Sequence, residues 1–303
     1  MRPILDLFTG VASSETASKL LPDKRMELKL FYSMWAHEGG SLESAWARVE
    51  SAGWKGMEGP LPEAAGPREA FLRGLAEREL EWIAECVTGG GYVPKGQKGV
   101  AEHLDEMRAM AEQAMVHQPL RLNVLTGLDA WSWADKVKLC EGLVALEREW
   151  GVEVALETHR SRLSFHPWVT RDLLQEVPEL KLTCDFSHWC AVCERLVLDD
   201  DPELLELMAD RSRHVHARVG YDQGPQVPDP RAPEYAEPVS AHLRWWGVLW
   251  RAAEARGEKA FTMTPEFGPD GYLQEAPFTR ERVADLWEVN RWMGRRLKEC
   301  DWH

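Results

Sequence analysis

Four segments of the chain end an apolar, β-type run in a side chain that seeks metal. VEVALE (152–157) ends in Glu157, LKLTCD (180–185) in Asp185, RHVH (213–216) in His216 and FTMTPE (261–266) in Glu266. The gaps between these residues are 28, 31 and 50. One strand–helix–strand unit needs about 30 residues, so the four read as C-terminal tips of successive parallel strands. Two glutamates, an aspartate and a histidine on one face suit a divalent ion such as manganese, magnesium, cobalt or zinc. The lack of a thiolate argues against structural zinc. Without a cation the groups in one mouth would repel or strand each other. Glu157 and Glu266 would also offer two carboxylates for proton transfer. Each residue alone has a plainer reading. A polar strand end is commonly a turn former or cap, Asp185 could cap through Phe186 and Ser187, and His216 could be a satisfied core histidine.

The rest of the chain must position these tips. Strand-like runs at 28–35, 54–58, 80–88 and 120–125 precede the four above. Helix-like periodicity covers 41–51, 68–78, 100–117, 133–150, 169–176, 202–209, 241–255 and 279–298. Eight strands alternating with eight helices argue a single (β/α)8 TIM barrel of the α/β class over residues 27–303, with residues 1–26 an N-terminal extension. In such barrels the active site lies at the C-terminal strand ends. A dinucleotide-binding open sheet is disfavoured, because no GxGxxG follows the first strand.

The chain has 303 residues, 44% of them hydrophobic, and a formal net charge of −14. An acidic chain lacks the general basic character of nucleic-acid binders. No apolar run approaches a membrane span. Asp6 interrupts the only early apolar run and Arg2 is a thin basic start, so a signal peptide is not read and a cytoplasmic protein is expected. Six scattered cysteines are expected to be reduced thiols; Cys190 and Cys193 form a lone CxxC, read as packed thiols rather than zinc ligands. Of fifteen tryptophans, Trp245, Trp246 and Trp250 sit at helix-like spacing, as core or as contacts of a homo-oligomer; Trp35 and Trp189 near strand ends could wall a pocket.

The segments ALETHR, CDFSHW, HVHARV and TPEFGP resemble the xylose-isomerase-like TIM barrel superfamily, the sugar phosphate isomerase/epimerase group. The resemblance covers roughly residues 28–298, and its most specific part is the Asp-x-x-His of Asp185 and His188. It implies a metal set of Glu157, Asp185, His216 and Glu266, with His188 near substrate or metal. It implies a divalent-metal-dependent sugar isomerase or epimerase: the metal polarises a ketose, a carboxylate takes a proton from the adjacent carbon, and a cis-enediolate is reprotonated. Glu157 and Glu266, from different sides of the mouth, are the candidate proton carriers. A dehydratase or lyase on the same scaffold, of the inosose dehydratase kind, is the alternative. An endonuclease-IV-like DNA-repair enzyme is disfavoured by the charge and by strands three and four ending without histidine. A barrel that only binds metal or ligand would not need the opposed glutamates.

Further residues could line such a pocket. His159 follows Glu157 by two on the same strand face, and Arg218 follows His216 likewise. Glu58 and His37 end strands two and one. Each has a loop contact, surface pair or core role as its ordinary alternative. The glycine-rich stretch 88–98, with Lys95 and Lys98, could receive phosphate but is no Walker loop. Residues 220–238, with five prolines, exceed an ordinary connection and could cover the site or touch a second subunit.

Overall fold

A computed structural model describes residues 26–94, 98–269 and 271–302. Eight parallel strands close into a barrel in chain order. They are β1 (Glu27–Ser33), β2 (Gly56–Gly59), β3 (Glu81–Val87), β4 (Arg121–Leu125), β5 (Val154–Glu157), β6 (Lys181–Cys184), β7 (Ser212–His216) and β8 (Ala260–Thr264). The helices are α1 (Leu42–Ala52), α2 (Ala65–Glu77), α3 (Val100–Met115), α4 (Trp133–Trp150), α5 (Pro167–Glu176), α6 (Ser187–Cys193), α7 (Pro202–Arg211), α8 (Ala236–Ala255) and α9 (Leu286–Glu299). The ring closes where Leu28 of β1 pairs with Phe261 of β8. Of the expected extension over residues 1–26, Met26 is described and buried, and residues 1–25 lie outside the described residues.

The period-2 alternation of each strand divides its side chains between two environments. Trp82, Ala84 and Cys86 of β3 join the apolar layer shared with the helices, as do Leu30 and Tyr32 of β1. The intervening residues fill the barrel: Phe31 meets His214 with ring centroids 6.4 Å apart. The helix ends follow local chemistry. Ser132 Oγ accepts from the Asp135 N–H at the start of α4, and Gly151 at φ 67° closes it. Asp201 caps α7, with Pro202 in its first turn.

The alternation expected from the sequence is present, with shifted boundaries. Asp185 and Glu266 lie just past β6 and β8 rather than inside them. The last helix begins at Leu286, not at 279. Phe278 and Arg280 adopt left-handed backbone at φ 69° and 61°, a Glu275–Arg282 bridge forms a small hairpin, and Asp285 caps the helix. The CxxC cysteines lie on the short helix α6, which the sequence reading did not separate. Trp245, Trp246 and Trp250 are buried on α8 within the core. Among the described residues, no helix is long and apolar enough to cross a membrane.

Candidate metal centre and active site

The interior of the barrel is polar toward its C-terminal mouth. Glu58, Glu85, Asn123, Glu157, His214 and His216 come from β2, β3, β4, β5 and β7, and all are buried. Asp185, Arg218 and Glu266 follow β6, β7 and β8 and are buried too. Glu157, Asp185, His216 and Glu266 converge: one ligand atom of each lies within 4.8 Å of the others. Donors at about 2.0–2.2 Å from one ion lie at most roughly 4.4 Å apart, so small side-chain adjustments suffice to enclose a divalent cation.

His216 makes the strongest case for a cation. Its Nε2 lies 2.9 Å from Glu58 Oε1, which accepts its proton. Its Nδ1 then faces Glu266 Oε2 at 2.8 Å and Glu157 Oε1 at 3.6 Å. Neither approach has hydrogen-bond geometry, so this buried nitrogen has close carboxylate neighbours but no hydrogen-bond partner. A lone pair aimed between two carboxylates is repulsive; a cation there, or a proton on Nδ1, removes the conflict. Glu58 is also fixed from below, 3.0 Å from His214 Nε2, while His214 Nδ1 lies 2.7 Å from Thr262 Oγ1. A metal-binding histidine anchored through its other nitrogen by a carboxylate is a recurrent arrangement. The oxygen-rich donor set fits a hard or borderline ion.

The electrostatics match this crowding. Burial opposes the charged form of His216, yet Glu266, Glu58 and Glu157 hold its pKa well above the ordinary value. Burial also opposes ionisation of Glu58, but the two histidines keep its carboxyl well below the usual range. Glu266 is pushed up to about 7 by burial, against the pull of His216 and Arg218. His188 and His159 are driven toward the neutral form, first by burial.

A cavity of about 220 Å³ opens beside the cluster, lined among others by Trp35, Glu85, Tyr92, Glu157, His159 and Glu266. Arg160, Arg218 and Tyr272 line it as well. Arg218 donates to Asp185 Oδ2, to Ser187 Oγ at 3.1 Å and to His188 Nε2 at 2.8 Å. His188 therefore carries its proton on Nδ1, which has no partner. Asp185 also accepts from Ser187 N, so its expected capping role and its place in the cluster coexist.

Two expected pocket residues sit elsewhere. His37 lies beyond the end of β1 and turns toward α1, with Nδ1 2.9 Å from the Tyr32 hydroxyl and Nε2 3.0 Å from Ser41 O. Glu58 lies beneath the cluster as the support of His216 rather than on the cavity wall. Trp189 is core, donating to Ser164 O, whereas Trp35 does wall the cavity. Trp35 packs over Gly268, where a Cβ would come within 2.0 Å of its ring. Gln226 of the proline-rich loop braces Gly268 through both backbone groups, at 2.8 and 3.2 Å.

Glu85 is the main residue the sequence reading missed. It is buried, its Oε1 has no partner, and its carboxyl is pushed up to about 8 by burial and then by Glu157, Glu266 and Glu58. Tyr92, 39% exposed as a residue, hydrogen-bonds it through its side chain. Asn123 was missed as well, and its Nδ2 donates to Glu157 Oε2 at 2.9 Å. In the glycine-rich loop, among the described residues, Glu106 takes both the Gly89 N–H and Lys98; Lys95 lies outside the described residues. Buried Arg162 pins this loop, donating to Thr88 O at 2.9 Å and to Gly91 O.

No protein-family profile and no curated protein matches this sequence. Solved structures do share its (β/α)8 barrel fold, and several of them are described as xylose isomerase-like or sugar isomerase/epimerase proteins. A sugar phosphate isomerase/epimerase from Parabacteroides distasonis superposes with a TM-score of 0.60 at 11% identity, over 91% of this chain and 99% of that one. A xylose isomerase-like TIM barrel protein from Mycobacterium smegmatis, in complex with magnesium, gives 0.58 at 12% identity, over 90% and 97%. The probable 3-DHS dehydratase AsbF from Bacillus anthracis gives 0.56 at 15% identity, over 89% and 100%. An epimerase and an endonuclease IV share the scaffold as well. At these identities the likeness concerns the fold, and the reaction must be argued from the site.

Proposed function

We propose that the protein is a divalent-metal-dependent sugar isomerase or epimerase that moves a proton beside a carbonyl through a cis-enediolate. The observation that carries this reading is the unpartnered His216 Nδ1, set between Glu157 and Glu266 and anchored from behind by Glu58. Glu157, Asp185, His216 and Glu266 would hold the ion. When bound, such an ion supplies Lewis-acid polarisation of a ketone and its neighbouring hydroxyl. The remaining work belongs to side chains. Glu157 and Glu266 stand on β5 and beyond β8, so they reach a bound molecule from different sides. One removes the proton and the other returns it, which inverts a centre or, with return to the neighbouring carbon, isomerises the sugar. Neutral His159 and His188 and the fixed guanidinium of Arg218 orient hydroxyls. Aromatic Trp35 and Tyr272 limit water at the mouth.

One observation favours a dehydratase as the second reading. Glu85 puts another carboxyl, raised to about 8, in the same cavity. Expulsion of a hydroxyl after enolisation needs an acid of that kind. A nuclease reading draws no such support, since the inward residues of β3 and β4 are Glu85 and Asn123 rather than histidines.

The test begins with chelator-treated protein titrated with Mn2+, where one ion per chain is expected. A ketose and inosose panel in deuterated water follows. Deuterium entering a carbon beside the carbonyl supports either reading, and loss of water separates the second. Glu266→Gln should fold normally and lose exchange by about 10²–10⁴-fold. A chain that binds no divalent ion refutes the proposal.

A further inference from the structure

The cavity lining holds two guanidinium groups in different states, Arg218 buried and Arg160 exposed at the mouth. Arg218 is committed to Asp185, Ser187 and His188. The Arg160 guanidinium makes no hydrogen bond or ion pair among the described residues, although the chain carries fifty acidic side chains. It is nevertheless held in place. Its guanidinium carbon lies 5.1 Å from the centroid of Tyr272, which also meets Arg218 at 4.7 Å. The backbone carbonyl of Arg160 accepts from His159 Nδ1, fixing the turn that presents it. An arginine fork positioned on an aromatic face, at the mouth of a cavity and with its donors open, matches a carboxylate or phosphate better than a neutral hydroxyl.

The position also sets polarity along the cavity. Glu85, Glu157 and Glu266 line the cavity and are buried, whereas Arg160 is exposed, so an anionic group is repelled from the carboxylates and received at the exposed guanidinium. We propose that the substrate carries an anionic group, a carboxylate or a phosphate ester, which Arg160 receives at the rim while the carbonyl end faces the metal cluster. This rests on the sugar-isomerase reading and narrows it to acidic or phosphorylated sugars.

The experiment compares three probes that share a polyol chain: D-glucitol, D-gluconate and D-glucitol 6-phosphate. Binding is measured by calorimetry on the Mn2+-loaded protein and on its Arg160→Gln variant. At least one anion should bind about ten- to a hundredfold more tightly than glucitol, the range of a charge-assisted contact. Arg160→Gln should erase that advantage and leave the affinity for Mn2+ and for glucitol unchanged. Which anion responds identifies the group as carboxylate or phosphate. An anion preference that survives in Arg160→Gln places the anion on the metal instead and overturns the inference. So does a Mn2+-loaded protein that shows no anion preference. Failure to bind Mn2+ at all instead strikes the underlying reading, so the two failures are distinct.

Discussion

Replacing Glu85 by glutamine should stabilise the metal-free protein, and increasingly so as pH rises. The folded chain raises this carboxyl from 4.5 to about 8, chiefly by burial and then by repulsion from Glu157, Glu266 and Glu58. Between those values the folded state holds a proton that the unfolded state has released. Stability from this proton is therefore full below about pH 4.5 and is lost as pH rises through about 8. Each pH unit in that window removes up to about 1.4 kcal/mol. From pH 5 to pH 8 the loss is roughly 3 kcal/mol, with the burial making this an order-of-magnitude figure. Glutamine keeps the shape and replaces the carboxyl O–H donor with an amide N–H, but has nothing to ionise. Urea unfolding of chelator-treated protein and variant at pH 5, 6.5 and 8 should give curves that separate as pH increases. For a chain of this length the separation corresponds to about 3–6 °C in Tm at pH 8. Equal separation at every pH, or a variant less stable at pH 8 than at pH 5 relative to the parent, would refute the assignment of a neutral buried carboxyl.

Two other substitutions probe the supports of the site. Glu58→Gln removes the negative charge and leaves one amide oxygen to serve His214 and His216, and Mn2+ affinity should fall about 10–100-fold by calorimetry; an unchanged affinity would deny the Glu58 carboxylate its orienting role. Arg162→Met removes the donors to Thr88 O and Gly91 O, and should destabilise by about 2–4 kcal/mol while hydrogen exchange rises first at residues 88–91; a rise spread evenly over the chain would count against a local clamp.

Much of the architecture was legible because strands and helices carry different hydrophobic periods. Trp133–Trp150 was readable to both ends, since Ser132 and Gly151 punctuate it. The four converging residues were legible from spacing alone, because a barrel brings equivalent strand ends together. Boundaries failed where tertiary contacts overrule local pattern, as in the hairpin before α9 with its left-handed Phe278 and Arg280. Glu85 was missed because attention fell on residue 88, the end of the apolar run. Its inward register follows from alternation with Trp82, Ala84 and Cys86, but that alternation is masked when both strand faces are buried. The support from Glu58 was invisible for another reason: nothing local links it to His216, 158 residues away. Arg160 carries no local signal, because the ring that holds it, Tyr272, comes from the far end of the chain.

That long link between Glu58 and His216 has a kinetic consequence. All four converging ligands lie in the second half of the chain, yet the residue that orients the histidine lies in the first. The ring itself closes by pairing Glu27 with Ala260. Contacts of such sequence separation form late, because loop closure must precede them. A half-assembled barrel can gather carboxylates and hold an ion loosely, but only ring closure delivers Glu58 and freezes the imidazole. Tight metal capture during refolding should therefore trail most secondary structure and keep time with closure, making the ion a clock for the final step of assembly.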